Sequence, residues 1–254
     1  MQSFYSAIAG AEVRWHEFPG QGRPVVFIHG LACASSYEYP PIVTNPGFKG
    51  RRALLIDLPG FGYSDKPLHF DYSITHQAEV VAEWLKAKGF ADVDLFGHSM
   101  GGSVAIQVAE LLGKGVKTLA VSEPNFHSGG GFYSRKVVAN TEKRFVAETF
   151  GKIVEAETSP WKGCLQNCSP HAMWRGSKSL IEGVSPSWMA RFLALSCQKA
   201  LVFGEQSLPD EDAEALSREA IPLHIVPAAG HSMSWENPAG LAAVLGHIFA
   251  QNGS

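Results

Sequence analysis

What most constrains this chain is a set of short, nearly unbroken apolar runs separated by helix-length stretches. Val25–Ile28, Ala53–Ile56, Val93–Phe96, Thr118–Val121, Ala200–Phe203 and Leu223–Val226 each have strand length without strict apolar–polar alternation. Such runs fit strands covered on both faces, as in a parallel sheet flanked by helices. Phe4–Ile8 and Val13–Phe18 read as an opening hairpin turning near Ala9–Gly10. Ile74–Lys88 carries apolar residues at 74, 78, 81, 82 and 85, close to a 3.6-residue period, and Gly89 supplies a stop. Gly102–Leu112 and Pro238–Phe249 read as two more helices. The alternation defines an α/β fold with a mostly parallel sheet.

The stretch from about 127 to 197 breaks the rhythm, holding no convincing buried strand. Tyr133–Thr158 reads as one long helix, and Pro160, Gly163, Pro170, Gly176, Gly183 and Pro186 cut the rest into short pieces. We read it as a helical insertion, residues 127–197, between two strands of a core formed by 1–126 and 198–254. A chain of 254 residues exceeds the usual domain size of about 150, yet α/β folds often run past 200 residues as one unit.

Charge and cysteine usage narrow the function classes. With 21 Lys+Arg against 24 Asp+Glu, the net charge of −3 argues against a nucleic-acid partner, which needs a basic face. The adjacent pair Arg51–Arg52 reads as a solvated turn. The opening Met-Gln-Ser-Phe-Tyr-Ser does not read as a signal peptide, and no apolar run is long enough to span a membrane. A cytoplasmic protein without a membrane partner is expected; oligomeric state is not legible. Of the four cysteines, Cys164 and Cys168 stand close to His171, but a structural zinc site wants four ligands at more regular spacing. Neither a metal nor a disulfide framework is expected.

The strongest chemical signal is Gly97-His98-Ser99-Met100-Gly101-Gly102, between a predicted strand and a predicted helix. There Ser99 sits on a tight strand-to-helix turn, Gly97 and Gly101 removing side chains that would clash. A serine nucleophile needs a base. His231, in the loop after the last predicted strand, shares with Ser99 the strand C-terminal edge where such sheets bind ligands. His127 is a weaker rival, His98 is expected to point away from Ser99, and His16, His69, His76, His224 and His247 read as structural. His29-Gly30-Leu31 ends another strand, so the Leu31 and Met100 N–H groups could hold an oxyanion.

Together, His29-Gly30, the run Asp57-Leu58-Pro59-Gly60-Phe61-Gly62-Tyr63-Ser64-Asp65, the Ser99 motif, and Gly230-His231 near Glu236-Asn237-Pro238 resemble the α/β-hydrolase superfamily. The resemblance covers nearly the whole chain. It implies an eight-stranded, mostly parallel sheet, a cap inserted after the sixth strand, a structural role for Asp57, and no cofactor or metal. The family's usual acid follows the seventh strand, where this chain reads Phe203-Gly204-Glu205-Gln206-Ser207, with Ser207 in the expected aspartate position. A hydroxyl cannot stabilise an imidazolium as a carboxylate does. Glu123, ending the sixth strand, is the first choice of acid, since haloalkane dehalogenases and some lactone hydrolases carry theirs at that strand end. Asp210, then Glu205, are the alternatives, with no acid at all a further one.

The resulting expectation is hydrolysis of a small, largely apolar ester or lactone through an acyl-enzyme on Ser99, with Trp174, Trp188 and Met189 roofing the pocket. A carbon–carbon bond hydrolase, thioesterase or haloperoxidase on the same residues remains open, as does a small-molecule receptor with little turnover. A dehalogenase is disfavoured, because its nucleophile is a carboxylate and position 99 is serine.

Overall fold

The computed structural model describes residues 1–250. Eight strands, β1 Gln2–Ser6, β2 Ala11–Phe18, β3 Gln21–Ile28, β4 Arg51–Ile56, β5 Val93–His98, β6 Val116–Ser122, β7 Gln198–Gly204 and β8 Leu223–Val226, form one sheet. Their order is β1-β2-β4-β3-β5-β6-β7-β8. Only β2 runs antiparallel to its neighbours, β1 and β4, and the remaining pairs are parallel. The hairpin lies slightly earlier than expected: β1 ends at Ser6, and Ala7–Gly10 form the turn.

The unbroken apolar runs are explained by the two faces they serve. Val26, Ile28, Leu54, Ile56, Leu95, Leu119 and Val121 pack on one face with Trp84 and Val104, which belong to the helices Ile74–Ala87 and Met100–Leu112. Val25, Phe27, Ala53, Leu55, Phe96, Ala120 and Val202 face the other way, against Phe48, Leu245 and Phe249. Successive strand residues point to opposite faces, so a strand covered twice needs apolar residues at consecutive positions. Each of the Val, Leu, Ile and Phe side chains among them contributes about 1.5–3 kcal/mol relative to exposure.

Between β6 and β7 the chain is wholly helical or irregular. The long helix expected over 133–158 is broken into Phe132–Val138, a short turn Glu142–Arg144, a π-helical stretch Phe145–Thr149, and Phe150–Ala156. The break falls where Thr141 turns extended and its side chain caps the next turn by accepting from the Arg144 N–H. A capping threonine starts a new helix rather than continuing the old one. The helices Trp161–Gln166, Pro170–Glu182 and Trp188–Ala194 complete the segment.

Arg51 and Arg52 open β4 and do not form the expected solvated turn. Arg51 Nη2 lies 2.9 Å from Asp94 Oδ2 and Nη1 donates to the Phe249 carbonyl at 2.7 Å, while Arg52 pairs with Glu17. Asp94 is fully buried on β5 and also pairs with Arg23. Arg51→Ala removes one of the two cations that meet Asp94 and leaves Arg23, so it should cost about 1.5–3 kcal/mol of unfolding free energy, the worth of a hydrogen bond to a charged group. Urea melts of the variant and the unaltered protein would measure it; a loss below about 1 kcal/mol would mean water replaces the pairing.

Candidate active site

The sheet register brings the chemical residues to one edge. Ile28 pairs with Gly97, His98 with Ser122, and Gly204 with Val226. The segments that leave these strands, His29–Leu31, Ser99, Glu123, Gly204–Ser207 and the loop to His231, therefore start along one rim.

Ser99 caps the Met100–Leu112 helix with φ 52° and ψ −122°, a conformation that costs a non-glycine residue about 1–3 kcal/mol. Its N–H donates to the Ser122 carbonyl and its carbonyl accepts from the Gly102 N–H, both at 2.9 Å. The flanking glycines are required by close approach. A Cβ on Gly97 would lie 2.3 Å from the Gly101 carbonyl oxygen, and one on Gly101 would lie 2.2 Å from the Ile28 carbonyl oxygen. Met100 opens the helix, so its N–H has no acceptor within it. Leu31 and Ser99 line the same cavity.

Glu123 lies one residue beyond β6, itself at φ 40°. Its Oε2 accepts from His231 Nδ1 at 2.6 Å and its Oε1 from the Gly204 N–H at 3.0 Å. Burial raises the proton affinity of this carboxyl, but His231, the Gly204 N–H and the Ser207 hydroxyl together hold it below the usual glutamate value. Ser207, standing where an aspartate was expected, thus serves Glu123 as a hydrogen-bonding partner. With Nδ1 held by a carboxylate, the imidazole presents Nε2 as the atom free to exchange a proton.

The other candidate carboxylates are committed elsewhere. Asp210 caps the helix Glu211–Arg218, accepting from the Ala213 N–H at 2.9 Å, and Glu205 Oε2 accepts from the Ala228 N–H at 2.8 Å. His127 pairs with Asp212. Asp57 is buried and takes Ser36 N–H, Ser36 Oγ and Tyr63 N–H, holding its loop. His171 pairs with Glu142 rather than meeting Cys164 and Cys168, and among the described residues no group of three His, Cys, Asp or Glu side chains is placed to hold a metal ion. None of the described helices is long and apolar enough to cross a membrane.

The His98 ring lies against His231, with centroids 4.7 Å apart, and its Nδ1 is 2.8 Å from Ser122 Oγ. Burial, then the neighbouring His231, lowers its pKa to about 3, so it stays neutral beneath His231. Trp174, Trp188 and Met189 do not line the cavity. Trp188 is fully buried in the seam where its helix meets Met100–Leu112, and Trp174 Nε1 donates to the Asn140 carbonyl. A helix exposes one face to a cavity and another to its own core, and the residue count alone did not fix which was which.

The cavity, about 670 Å³, is bounded on the core side by Leu31, Glu38, Ser99, His231 and Trp235, and on the insertion side by Tyr133, Trp161 and Leu180. Trp161 Nε1 donates to the Ala32 carbonyl at 3.0 Å, tying the insertion to the loop after β3. Tyr133 packs against Trp161 with ring centroids 5.0 Å apart and planes inclined at 59°. Glu38 and Trp235 carry no motif and escaped sequence reading; only burial reveals them.

A sequence model of the family described as "alpha/beta hydrolase fold" matches residues 23–157, and the chain belongs to that family. Among curated relatives, a haloalkane dehalogenase of Mycolicibacterium paratuberculosis is 36% identical over 94 residues, 37% of this chain and 31% of the relative. A 2-hydroxymuconate semialdehyde hydrolase of Pseudomonas putida is 36% identical over 105 residues, 40% of this chain and 36% of that one. The chain thus spans about a third of the length of those curated relatives. Among solved structures, a thermophilic esterase from Thermogutta terrifontis superposes with a TM-score of 0.82 at 21% identity, covering 100% of both chains. An N-acyl homoserine lactonase complexed with N-butanoyl homoserine superposes with 0.74 at 18%, covering 98% of this chain and 96% of that one. At these identities the likeness is one of fold.

Proposed function

We propose that the protein hydrolyses a carboxylic ester or lactone of a small, largely apolar substrate through an acyl-enzyme on Ser99. The observation that carries this reading is the 2.6 Å contact between Glu123 Oε2 and His231 Nδ1 on the cavity that Ser99 also lines. His231 Nε2 takes the Ser99 proton as Oγ attacks the acyl carbonyl, and returns it to the leaving alkoxide. The Leu31 and Met100 N–H groups hold the tetrahedral oxyanion. Water, deprotonated by His231, then releases the acid and restores Ser99. Glu123 fixes the imidazole tautomer and stabilises its charged form. Residues 127–197 act as a cap over the core of 1–126 and 198–254, excluding water and supplying Tyr133, Trp161 and Leu180 to the pocket. The reading calls for no cofactor.

Hydrolysis of short-chain p-nitrophenyl esters by the unaltered protein, Ser99→Ala, Glu123→Gln and Asp210→Asn tests it. Asp210→Asn should change kcat less than about threefold, because its carboxylate is a helix cap worth about 1 kcal/mol of stability. A collapse of activity in that variant with Glu123→Gln unaffected would move the acid to Asp210 and overturn the assignment. No turnover and no labelling of Ser99 by a fluorophosphonate would favour the receptor reading.

A further inference from the structure

Besides Glu123, the cavity wall holds the carboxylates of Glu157 and Glu38, and this chemistry uses neither. Glu38, at the end of the short helix Ser35–Glu38, is 2% exposed yet lines the cavity with Ser99 and His231. Its Oε1 accepts from Ser234 Oγ at 2.6 Å. Its Oε2 is buried and no nitrogen or oxygen donor pairs with it; the weak thiol donor of Cys33 is the carboxyl's hydrogen-bonding neighbour besides Ser234. A buried carboxylate oxygen without a strong donor is costly, so such an atom persists where a ligand or a function compensates it. The Oε1 bond also aims the group, because Ser234 lies three residues after His231 and ties Glu38 to the loop that carries the imidazole.

Resting on the serine-hydrolase reading, we propose that Glu38 is a specificity-determining anchor that accepts a hydrogen bond from a hydroxyl or amide N–H of the substrate on Oε2. The preferred ester or lactone then carries such a donor on a largely apolar frame, because Leu31, Tyr133, Trp161, Leu180 and Trp235 supply large apolar surfaces to a wall that also holds Asn125, Ser134, Glu157 and Ser159. Burial, opposed by Ser234, Cys33 and His231, pushes the Glu38 carboxyl up to about 7. The groups that face it are the thiol of Cys33 and the imidazole of His231, with Tyr39 and Cys164 beyond; the hydrogen bond to Cys164 and then burial push the thiol of Cys33 well up, and burial does the same to the phenol of Tyr39, so neither titrates near neutrality. Above pH 7 the anchor is an anionic acceptor and holds a donor more tightly than below it.

The test compares matched substrates. One pair differs on the acyl side, p-nitrophenyl 3-hydroxybutyrate against p-nitrophenyl butyrate; the other on the alcohol side, 2-hydroxyethyl butyrate against propyl butyrate. In at least one pair the unaltered protein should favour the hydroxylated ester by about tenfold or more in kcat/KM at pH 8, as expected for a hydrogen bond to a charged group. The ratio should fall towards unity at pH 6. Any pH effect common to both members of a pair cancels in the ratio. Glu38→Met, of similar volume without an acceptor, should bring the ratio below about twofold at both pH values. Glu38→Gln keeps one acceptor and cannot ionise; should Glu38→Met fail to fold, the ratio in Glu38→Gln should be independent of pH. No preference in either pair, or a preference that survives in Glu38→Met or keeps its pH dependence in Glu38→Gln, would overturn the anchor. If none of the four esters is turned over, the hydrolase reading fails separately. Calorimetric titration of the same esters into Ser99→Ala and Ser99→Ala/Glu38→Met still reads the anchor, as tighter binding of a hydroxylated ester by the first protein only.

Discussion

Ser99→Ala should lower kcat for a short-chain ester by on the order of 10⁵–10⁶-fold and abolish labelling by a fluorophosphonate, since no second nucleophile replaces Oγ. The fold should survive. Ser99 occupies φ 52°, where any side chain is strained, so its backbone is held by its surroundings rather than by its own preference. The hydrogen bond from its N–H to the Ser122 carbonyl is a main-chain one and does not depend on the side chain. Ser99→Gly should therefore be equally inactive yet raise unfolding free energy by about 1 kcal/mol, because glycine adopts this conformation without penalty. A thermal melt of the three proteins reads this directly. An inactive Ser99→Gly with a lower midpoint would show that the turn is not strained, and residual esterase activity in Ser99→Ala would remove Ser99 from the mechanism.

Glu123→Gln is the second large effect. An amide in place of the carboxylate cannot offset the positive charge that develops on His231, and it no longer selects the tautomer that leaves Nε2 unprotonated. The loss in kcat should be about 10⁴-fold, with KM little changed. A stability effect accompanies it with a defined sign. The folded Glu123 carboxyl is held below its ordinary value, so its partners stabilise the fold at pH above the ordinary carboxylate range. That stabilisation is lost as pH falls from there through the folded value. Glu123→Gln should thus be less stable than the unaltered protein at pH 7, and the gap should narrow on acidification towards pH 3. A gap that widens on acidification would mean the carboxyl is held protonated in the fold, and so could not serve His231.

Strand placement was legible because a doubly covered strand must be apolar at consecutive positions, and Val25–Ile28 and Ala53–Ile56 have no other reading of similar weight. Helix interruptions inside the insertion were less legible. Thr141 ends one helix and starts another through a side-chain cap, a local competition that the apolar spacing of 133–158 does not register. The Ser99 turn was legible for a steric reason: only glycine fits at 97 and 101 once the helix is pressed against β3. Glu123 was reached through the family resemblance, from its strand-end place and the serine in the usual acid position, and the role of Ser207 as its hydrogen-bond partner was not foreseen, because the two meet only through the parallel pairing of β6 with β7.

By itself, then, the sequence determined the covered sheet, the serine turn and the strand ends that hold Ser99, Glu123 and His231, since periodicity and glycine sterics are local properties. Only the tertiary structure decided which aromatics face the cavity, that His98 lies beneath His231, and that Glu38 is buried with one oxygen that no nitrogen or oxygen donor meets. Burial and charge depend on what other segments bring within a few ångströms, and a helix or loop residue carries no local mark of that neighbourhood.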